Sequence, residues 1–489
     1  MLSHLAYLSV VVLLASMVPP QLLGQAKEAV MVVGIIGAWR YSWAALNFCR
    51  AVIFRRWAYP RRKAEAMAAY ADLPHRAHAY FLTTTYKIEA STSISVYRSI
   101  FAAAAASQGG ATVVASVVDG ADERLIRHIF AAMQQDMSGV RLIIDRIPAT
   151  GKRDALARSL HLIARQHPTC RDVVVFVDGD SCVPEDLIAQ SAPFFTNPKI
   201  GALTTDETVS IPKPGIFREW FNLRFDQRQV MMCSMGLSNR VLTLTGRMSV
   251  FRADLATEPD FISQVQHDYI DHWRLGRVNF LTGDDKSTWF WLIKHGWQLA
   301  YLPDVRSSSM ETQPRPTFLG SATALMVRWF GNMLRTNGRA LDLSPRKIGR
   351  FTWWSILDQR LSIWTTLAGP ISVLIAAIFV EPLLLSAYAA WVLLTRYIFC
   401  MAICTFRGRF VPVHYPFLLY FGQLFGAAVK SYVLFRLDRQ KWTRQAPPET
   451  GSNMQMRLAD RLGAFGSLYL HILALGWLTM GVFFLTGVI

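Results

Sequence analysis

Long apolar runs lie at both ends of this chain and are missing from its middle. They cover residues 5–23 and 29–54, and then 361–379, 383–404 and 465–485. Each approaches the ~20 apolar residues that a helix needs to cross a hydrocarbon core. The stretch from Tyr70 to Arg350 has the mixed composition of a water-soluble domain. The layout predicts a soluble domain inserted into an all-α transmembrane bundle. Composition agrees, because only 17% of the 489 residues are charged, against the ~25% usual for soluble chains.

Charge sets the orientation. No Lys or Arg precedes Lys27, so the first run lacks the basic start of a cleaved signal peptide and reads as a retained span. The second ends in Arg55, Arg56, Arg61, Arg62 and Lys63, which places the following domain, and the N-terminus, on the cytoplasmic side. Residues 411–435 are apolar but carry His414, Pro416, Gln423 and Lys430. Were they to span, the basic loop 436–461 would lie outside, against the charge rule, so an interfacial or re-entrant segment is expected there. About five spans result, with the C-terminus outside. The formal charge is +17, from 51 Lys+Arg and 34 Asp+Glu. It points to a membrane surface or an anionic ligand and not to nucleic acid, because the cations are not gathered in one module. The six cysteines form no CxxC pair and are expected to be buried, reduced thiols.

In the middle segment, β-branched runs at 78–86, 112–119, 140–148 and 173–178 alternate with helical patterns at 91–107, 121–135 and 154–167. This alternation predicts a mostly parallel sheet with helices on both faces, whose ligands bind at the carboxyl ends of the strands. Three motifs fall there. Asp178-Gly179-Asp180 ends a strand, and its two carboxylates can hold Mg²⁺ or Mn²⁺ against a diphosphate or close an Asx-rich turn. Gly283-Asp284-Asp285 sets two carboxylates side by side, as a general base needs, and either can also cap the helix that follows. Gly151-Lys152-Arg153-Asp154 puts two cations at a helix start, suited to phosphate or to solvent. It lacks the first glycine of a P-loop.

In this order the motifs resemble the family 2 inverting glycosyltransferases of GT-A fold, the group of cellulose, chitin and hyaluronan synthases. Arg328-Trp329 stands where that family carries QxxRW, with Leu325 at the glutamine position. Trp442-Thr443-Arg444 resembles its WTR-type gating loop, and GDD replaces its TED. The stretches WRYSWAALNF, TGKRDALA, VLTLTGRMSVFRA, DHWRLGRVNFLTGDDKS, VRWFGNMLR and FRLDRQKWTRQ resemble the bacterial alginate polymerases (mannuronan synthases) over nearly the whole chain.

The resemblance implies GDP-mannuronate as donor, a growing β-1,4-polyuronate chain as acceptor, and transfer at the cytoplasmic face of the bacterial inner membrane. It implies Asp178 and Asp180 on the metal, Asp285 as base with Asp284 supporting it, and Thr85, Glu89, Asp119, Lys152 and Arg153 on the donor nucleotide. It assigns the acceptor to Arg328 and Trp329, with a membrane-interface anchor as the alternative for Trp329. It implies gating by Trp442, Thr443 and Arg444, and a partner protein whose PilZ domain binds cyclic di-GMP, with other alginate secretion components. The corresponding domains are 1–63 (two spans), 64–318 (GT-A), 319–360 (amphipathic interfacial helices), 361–435 (spans plus the interfacial segment), 436–463 (gating loop) and 464–489 (last span). Independently of the family, Arg40 and Arg396 lie inside apolar runs. Such arginines are costly unless they face a polar path or a counter-ion, and a polyuronate would use cations along its path. The other enzymatic readings are a synthase consuming a UDP-sugar and a non-processive transferase acting on a polyprenyl phosphate. An inactive export scaffold is the non-enzymatic one.

Overall fold

The structure, a computed structural model, describes residues 2–133, 137–440 and 454–487. Trp442, Thr443 and Arg444 lie outside the described residues.

The middle segment folds around one sheet of eight strands. These are β1 (Ala79–Thr85), β2 (Ala111–Val117), β3 (Val140–Arg146), β4 (Val173–Asp178), β5 (Ser181–Cys182), β6 (Ile200–Ser210), β7 (Met248–Arg252) and, after a hairpin of β8 (Tyr269–His272) and β9 (Gly276–Asn279), β10 (Gln298–Met310). The order is β3-β2-β1-β4-β7-β6-β10-β5. β1 pairs in parallel with β2 and β4, β2 with β3, and β6 with β10, whereas β7 runs antiparallel between β4 and β6. β1 and β2 are almost wholly buried, because helices cover both faces of the sheet and leave no polar side for alternation. The parallel strands end at one edge, where Thr84 lies opposite Asp178.

Ten helices matter for the site and the membrane. They are α1 (Leu2–Ser16), α2 (Lys27–Ile53), α3 (Lys152–Ala164), α4 (Ile216–Gly236), α5 (Asp284–Lys294), α6 (Phe318–Leu341), α7 (Arg350–Phe379), α8 (Leu384–Arg407), α9 (Tyr415–Leu434) and α10 (Met454–Leu485). Among the described residues five helices are long and apolar enough to cross a membrane: Lys27–Ala71, Arg350–Phe379, Leu384–Arg407, Tyr415–Leu434 and Gly463–Leu485. α1 is shorter than expected. It stops at Ser16, ahead of Pro19 and Pro20, because proline cannot continue a helix. It runs beside α8, with Tyr7 donating to the Leu393 carbonyl and Val11 packed near Ala390.

α9 is unbroken, and both of its ends meet the soluble domain. At the start, Tyr415 donates to Glu219 of α4 at 3.1 Å. At the end, Arg274 of the β8–β9 turn donates to the Phe435 carbonyl at 2.8 Å, and Gln440 bridges Asn279 and Leu281. Between them α9 lies along α6, with Phe318 against Phe421 and Lys430 over Phe330.

α8 is tied to the sheet at its end. Buried Arg407 pairs with Asp206 of β6 and, at 3.0 Å, with Asp226 of α4. The cysteines divide against expectation: Cys233, Cys400 and Cys404 are buried, but Cys49 and Cys170 are exposed, because the helix and the loop that carry them present those positions outward.

Candidate functional site

The carboxyl edge of the sheet gathers the motif residues. Asp178 is the last residue of β4, and its backbone N–H donates to the Arg247 carbonyl just before β7. Gly179 is pressed against β1. A Cβ there would stand 2.4 Å from Ile88 Cδ1 and 2.6 Å from the Thr84 carbonyl oxygen, so the residue between the two aspartates has no room for a side chain. Met310 N–H, at the end of β10, donates to the Asp180 carbonyl. The Asp178–Asp180 turn is thus pinned from three strands.

Asp284 and Asp285 open α5, where the positive end of a helix favours carboxylates. Gly283 takes φ +83, and a Cβ on it would meet Asn332 at 2.8 Å. Only glycine tolerates both constraints. Lys152, at the start of α3, reaches across the site, with its Nζ 2.6 Å from Asp178 Oδ1 and 2.9 Å from Asp284 Oδ2. Lys152, Asp178, Asp284 and Asp285 line one pocket with Thr245, Gly246 and Thr288. Four of the expected site residues, from three separate stretches of chain, therefore meet.

Their electrostatics differ. Burial, reinforced by Asp180 and Asp284, pushes Asp178 up to about 7 against the pull of Lys152. Burial also opposes ionisation of Asp284, but Lys152 and Arg153 outweigh it and hold Asp284 below the usual carboxylate range. Asp285 is raised, by burial first and by the Asp284 charge second. One neighbour is kept ionised and the other is made more basic, a division of labour suited to proton abstraction.

Other expected residues lie differently. Arg153 faces inward and is spent on the Val265 and Thr282 carbonyls and the Ser287 hydroxyl. Successive residues of a helix point ~100° apart, so α3 delivers Lys152 to the pocket and Arg153 to the core. The Thr85 hydroxyl is buried against Tyr97, which removes that side chain from the edge. Glu89 and Asp119 are exposed beyond β1 and β2, and Asp119 caps the helix Gly120–Ala132 by accepting from Ala121 N–H.

Arg328 comes within electrostatic reach of Glu311, Asp178 and Asp180, although burial lowers its proton affinity. Trp329 stacks on Trp220, with centroids 5.8 Å apart, and meets the edge of Phe221. Arg40 bonds Asp358 at 2.8 Å and Thr365 at 3.0 Å, the counter-ion alternative for an arginine in a span. Arg396 donates to Gln423 and to the Tyr41 hydroxyl.

The sequence motifs did not point to Arg224, Arg228 and Arg247, which are electrostatic neighbours of one another, with Arg224 resting on Trp329 and Arg228 acting on Asp285. Arg228 and Arg247 both pair with buried Glu207, and Arg247 also pairs with Glu311 at 2.6 Å. A signal existed: Trp220, Arg224 and Arg228 follow one another at spacings of four, a single face of a helix.

Among the described residues no three His, Cys, Asp or Glu side chains converge as a metal cage. Asp178 and Asp180 offer carboxylate oxygens only, the donor set of Mg²⁺ or Mn²⁺, which commonly take few protein ligands and complete their shell with phosphate and water. The donors fit such an ion.

The chain is similar to known proteins over most of its length. Residues 75–332 match the family described as glycosyltransferase-like family 2. The chain is 42% identical over 445 residues to glycosyltransferase alg8 of Pseudomonas syringae pv. tomato, covering 90% of this chain and 89% of that one. It is 40% identical over 447 residues to glycosyltransferase alg8 of Azotobacter vinelandii, with the same coverage of each. Among solved structures, a mannosyltransferase of Pyrobaculum calidifontis in complex with GDP-Man and Mn²⁺ is similar at 17% identity and a TM-score of 0.43, over 78% of this chain and 98% of that one. That likeness is too weak to carry chemistry.

Proposed function

This chain belongs to family 2 of the glycosyltransferases, in the alginate polymerase branch that its alg8 relatives mark, and from there we propose that it transfers mannuronate from GDP-mannuronate to a growing β-1,4-mannuronan. Transfer is processive, on the cytoplasmic face of the inner membrane, and the product enters the helical bundle. The observation that carries this reading is the meeting of Lys152, Asp178, Asp284 and Asp285 in one pocket whose neighbouring wall is lined by arginines.

The reaction is one inverting displacement. The acceptor hydroxyl oxygen attacks the anomeric carbon, the bond to GDP breaks with its electron pair, and the hydroxyl proton passes to Asp285. The raised pKa of Asp285 suits it to take that proton. Asp284, held ionised by Lys152, keeps Asp285 basic. Lys152 and Arg328 offset the diphosphate charge, Lys152 by swinging from Asp178. Asp178 and Asp180 would hold Mg²⁺ or Mn²⁺, whose charge stabilises the departing GDP. Trp329, backed by fully buried Trp220, gives the acceptor sugar an aromatic wall. Arg40 and Arg396 lie further along, within the helices. The cyclic di-GMP-binding partner and the gating role of Trp442, Thr443 and Arg444 rest on family resemblance alone.

The test is GDP release from membranes containing this chain, given GDP-mannuronate with Mg²⁺ or Mn²⁺, beside an Asp285→Ala control. Metal-dependent release and an alginate-lyase-sensitive polymer, both absent from the control, are expected. An inert GDP-mannuronate and a consumed UDP-sugar, with cyclic di-GMP and partner supplied, would overturn the donor assignment.

A further inference from the structure

Arg224 of α4 lies within electrostatic reach of Arg228 and Arg247 and of Lys430 in α9. Its guanidinium carbon lies 4.0 Å from the centre of the Trp329 ring and 5.1 Å from that of Trp220. Trp329 is therefore not a bare sugar platform, since a cation rests on it. A guanidinium stacked on an indole keeps its N–H edge for a planar anion.

The nearby cations differ in how they are balanced. Arg228 and Arg247 share Glu207, and Arg247 also holds Glu311. Arg40 holds Asp358. Among the described residues no carboxylate forms an ion pair with Arg224 or with Lys430 of α9. Lys430 sits over Phe330, 4.7 Å from its centre, and its electrostatic neighbours are Arg224, Arg40 and Asp358, the last already paired with Arg40. Burial, then repulsion from Arg228 and Arg247, lowers the proton affinity of Arg224. Two like charges in a half-buried, aromatic-lined wall, with only a carboxylate shared with Arg40 nearby, are costly to keep, and an anionic ligand would offset them. A carboxylate carried on a sugar ring satisfies both the cations and the aromatic faces.

We propose that Arg224 and Lys430 form a subsite that reads the carboxylate of a uronate unit in the growing chain as that unit leaves the transfer site. The subsite makes the enzyme prefer an acidic chain to its neutral counterpart. This rests on the polyuronate reading above.

The experiment uses the full chain in lipid nanodiscs and two fluorescently labelled probes, a β-1,4-mannuronate hexamer and a β-1,4-mannose hexamer, with binding read by polarisation. The wild-type chain is expected to bind the acidic probe at least about tenfold more tightly, and Arg224→Gln and Lys430→Gln each to lose about tenfold for that probe alone, as for one charge-assisted hydrogen bond. Arg224→Lys retains more of the preference than Arg224→Gln. Because Lys430 is on another helix, a folding defect of one variant does not decide the outcome. Equal binding of the two probes by the wild type, or an undiminished preference in both Gln variants, overturns the subsite. If the wild type meanwhile makes polyuronate from GDP-mannuronate, only the subsite falls. If it consumes a neutral-sugar donor instead, the polyuronate reading falls and takes the subsite with it.

Discussion

The ammonium of Lys152 lies 2.9 Å from the carboxylate of Asp284, although 132 residues separate them in the chain. The same ammonium holds Asp178 at 2.6 Å. One cation thus joins the end of β4 to the start of α5. In Lys152→Ala buried Asp284 and half-buried Asp178 lose their partner, which costs up to roughly 3–5 kcal/mol. Thermal melting should show the loss, and GDP release should vanish. Lys152→Ala combined with Asp284→Asn should recover part of the melting temperature but none of the release.

Asp285→Asn keeps the shape and removes the proton acceptor. The rate should drop by about 10²–10⁴-fold, the usual worth of a general base, with donor binding little changed. In the wild type the base works ionised, and its pKa is raised by burial and by Asp284. Activity is therefore lost as pH falls through a value above the ordinary aspartate range of ~4. A profile of GDP release against pH checks this. An acid limb at or below that range would remove Asp285 from the role.

Gly179→Ala tests the turn. Ile88 can swing aside, but the Thr84 carbonyl oxygen, 2.6 Å from the added Cβ, belongs to β1 and cannot. Overpacking of this kind costs ~1–3 kcal/mol, and the strain falls on Asp178 and Asp180. The metal concentration giving half-maximal GDP release should rise, and adding Ile88→Ala should not restore it.

Arg407 joins Asp206 and Asp226, and all three side chains are at most 3% exposed. Arg407→Gln leaves Asp206 with Arg306 and Asp226 with Arg409 as their remaining cations, both more exposed, and should lower stability by up to roughly 3–5 kcal/mol. Asp226→Asn added to it should cost less than the sum of the two single changes, because the groups share one network. Melting of the purified single and double variants decides this.

α9 has its two ends against the soluble domain. Phe410→Cys and Arg439→Cys, exposed on either side of α9, should both be labelled from the catalytic side of the membrane by an impermeant thiol reagent, in a background without native cysteines. Labelling from opposite sides would mean that α9 crosses the bilayer.

The central strands were readable because a strand buried on both faces is a continuous β-branched run, and Val173–Asp178 has the same bounds in sequence and structure. The acidic motifs were readable because each sits next to a glycine at an element boundary. The inward turn of Arg153 was not, since adjacent cations look alike until the phase of the helix is known. Nor was the arginine wall. Arg224 and Arg228 come from α4 and Arg247 from the approach to β7, and only folding brings Arg228 and Arg247 to one glutamate and Arg224 to Trp329. The antiparallel β7 was hidden for a similar reason, as a five-residue strand between helices has little period to show.

Asp206 and Glu207 are consecutive on β6. Asp206 grips Arg407 at the end of α8, while Glu207 grips Arg228 and Arg247 in the wall beside the pocket. A membrane helix whose apolar length mismatches the bilayer tilts or shifts to compensate. Here such a shift would pull on a strand that also carries the counter-ion of Arg228 and Arg247, so the rate of transfer should depend on acyl-chain length, with the lipid as a mechanical input to the chemistry.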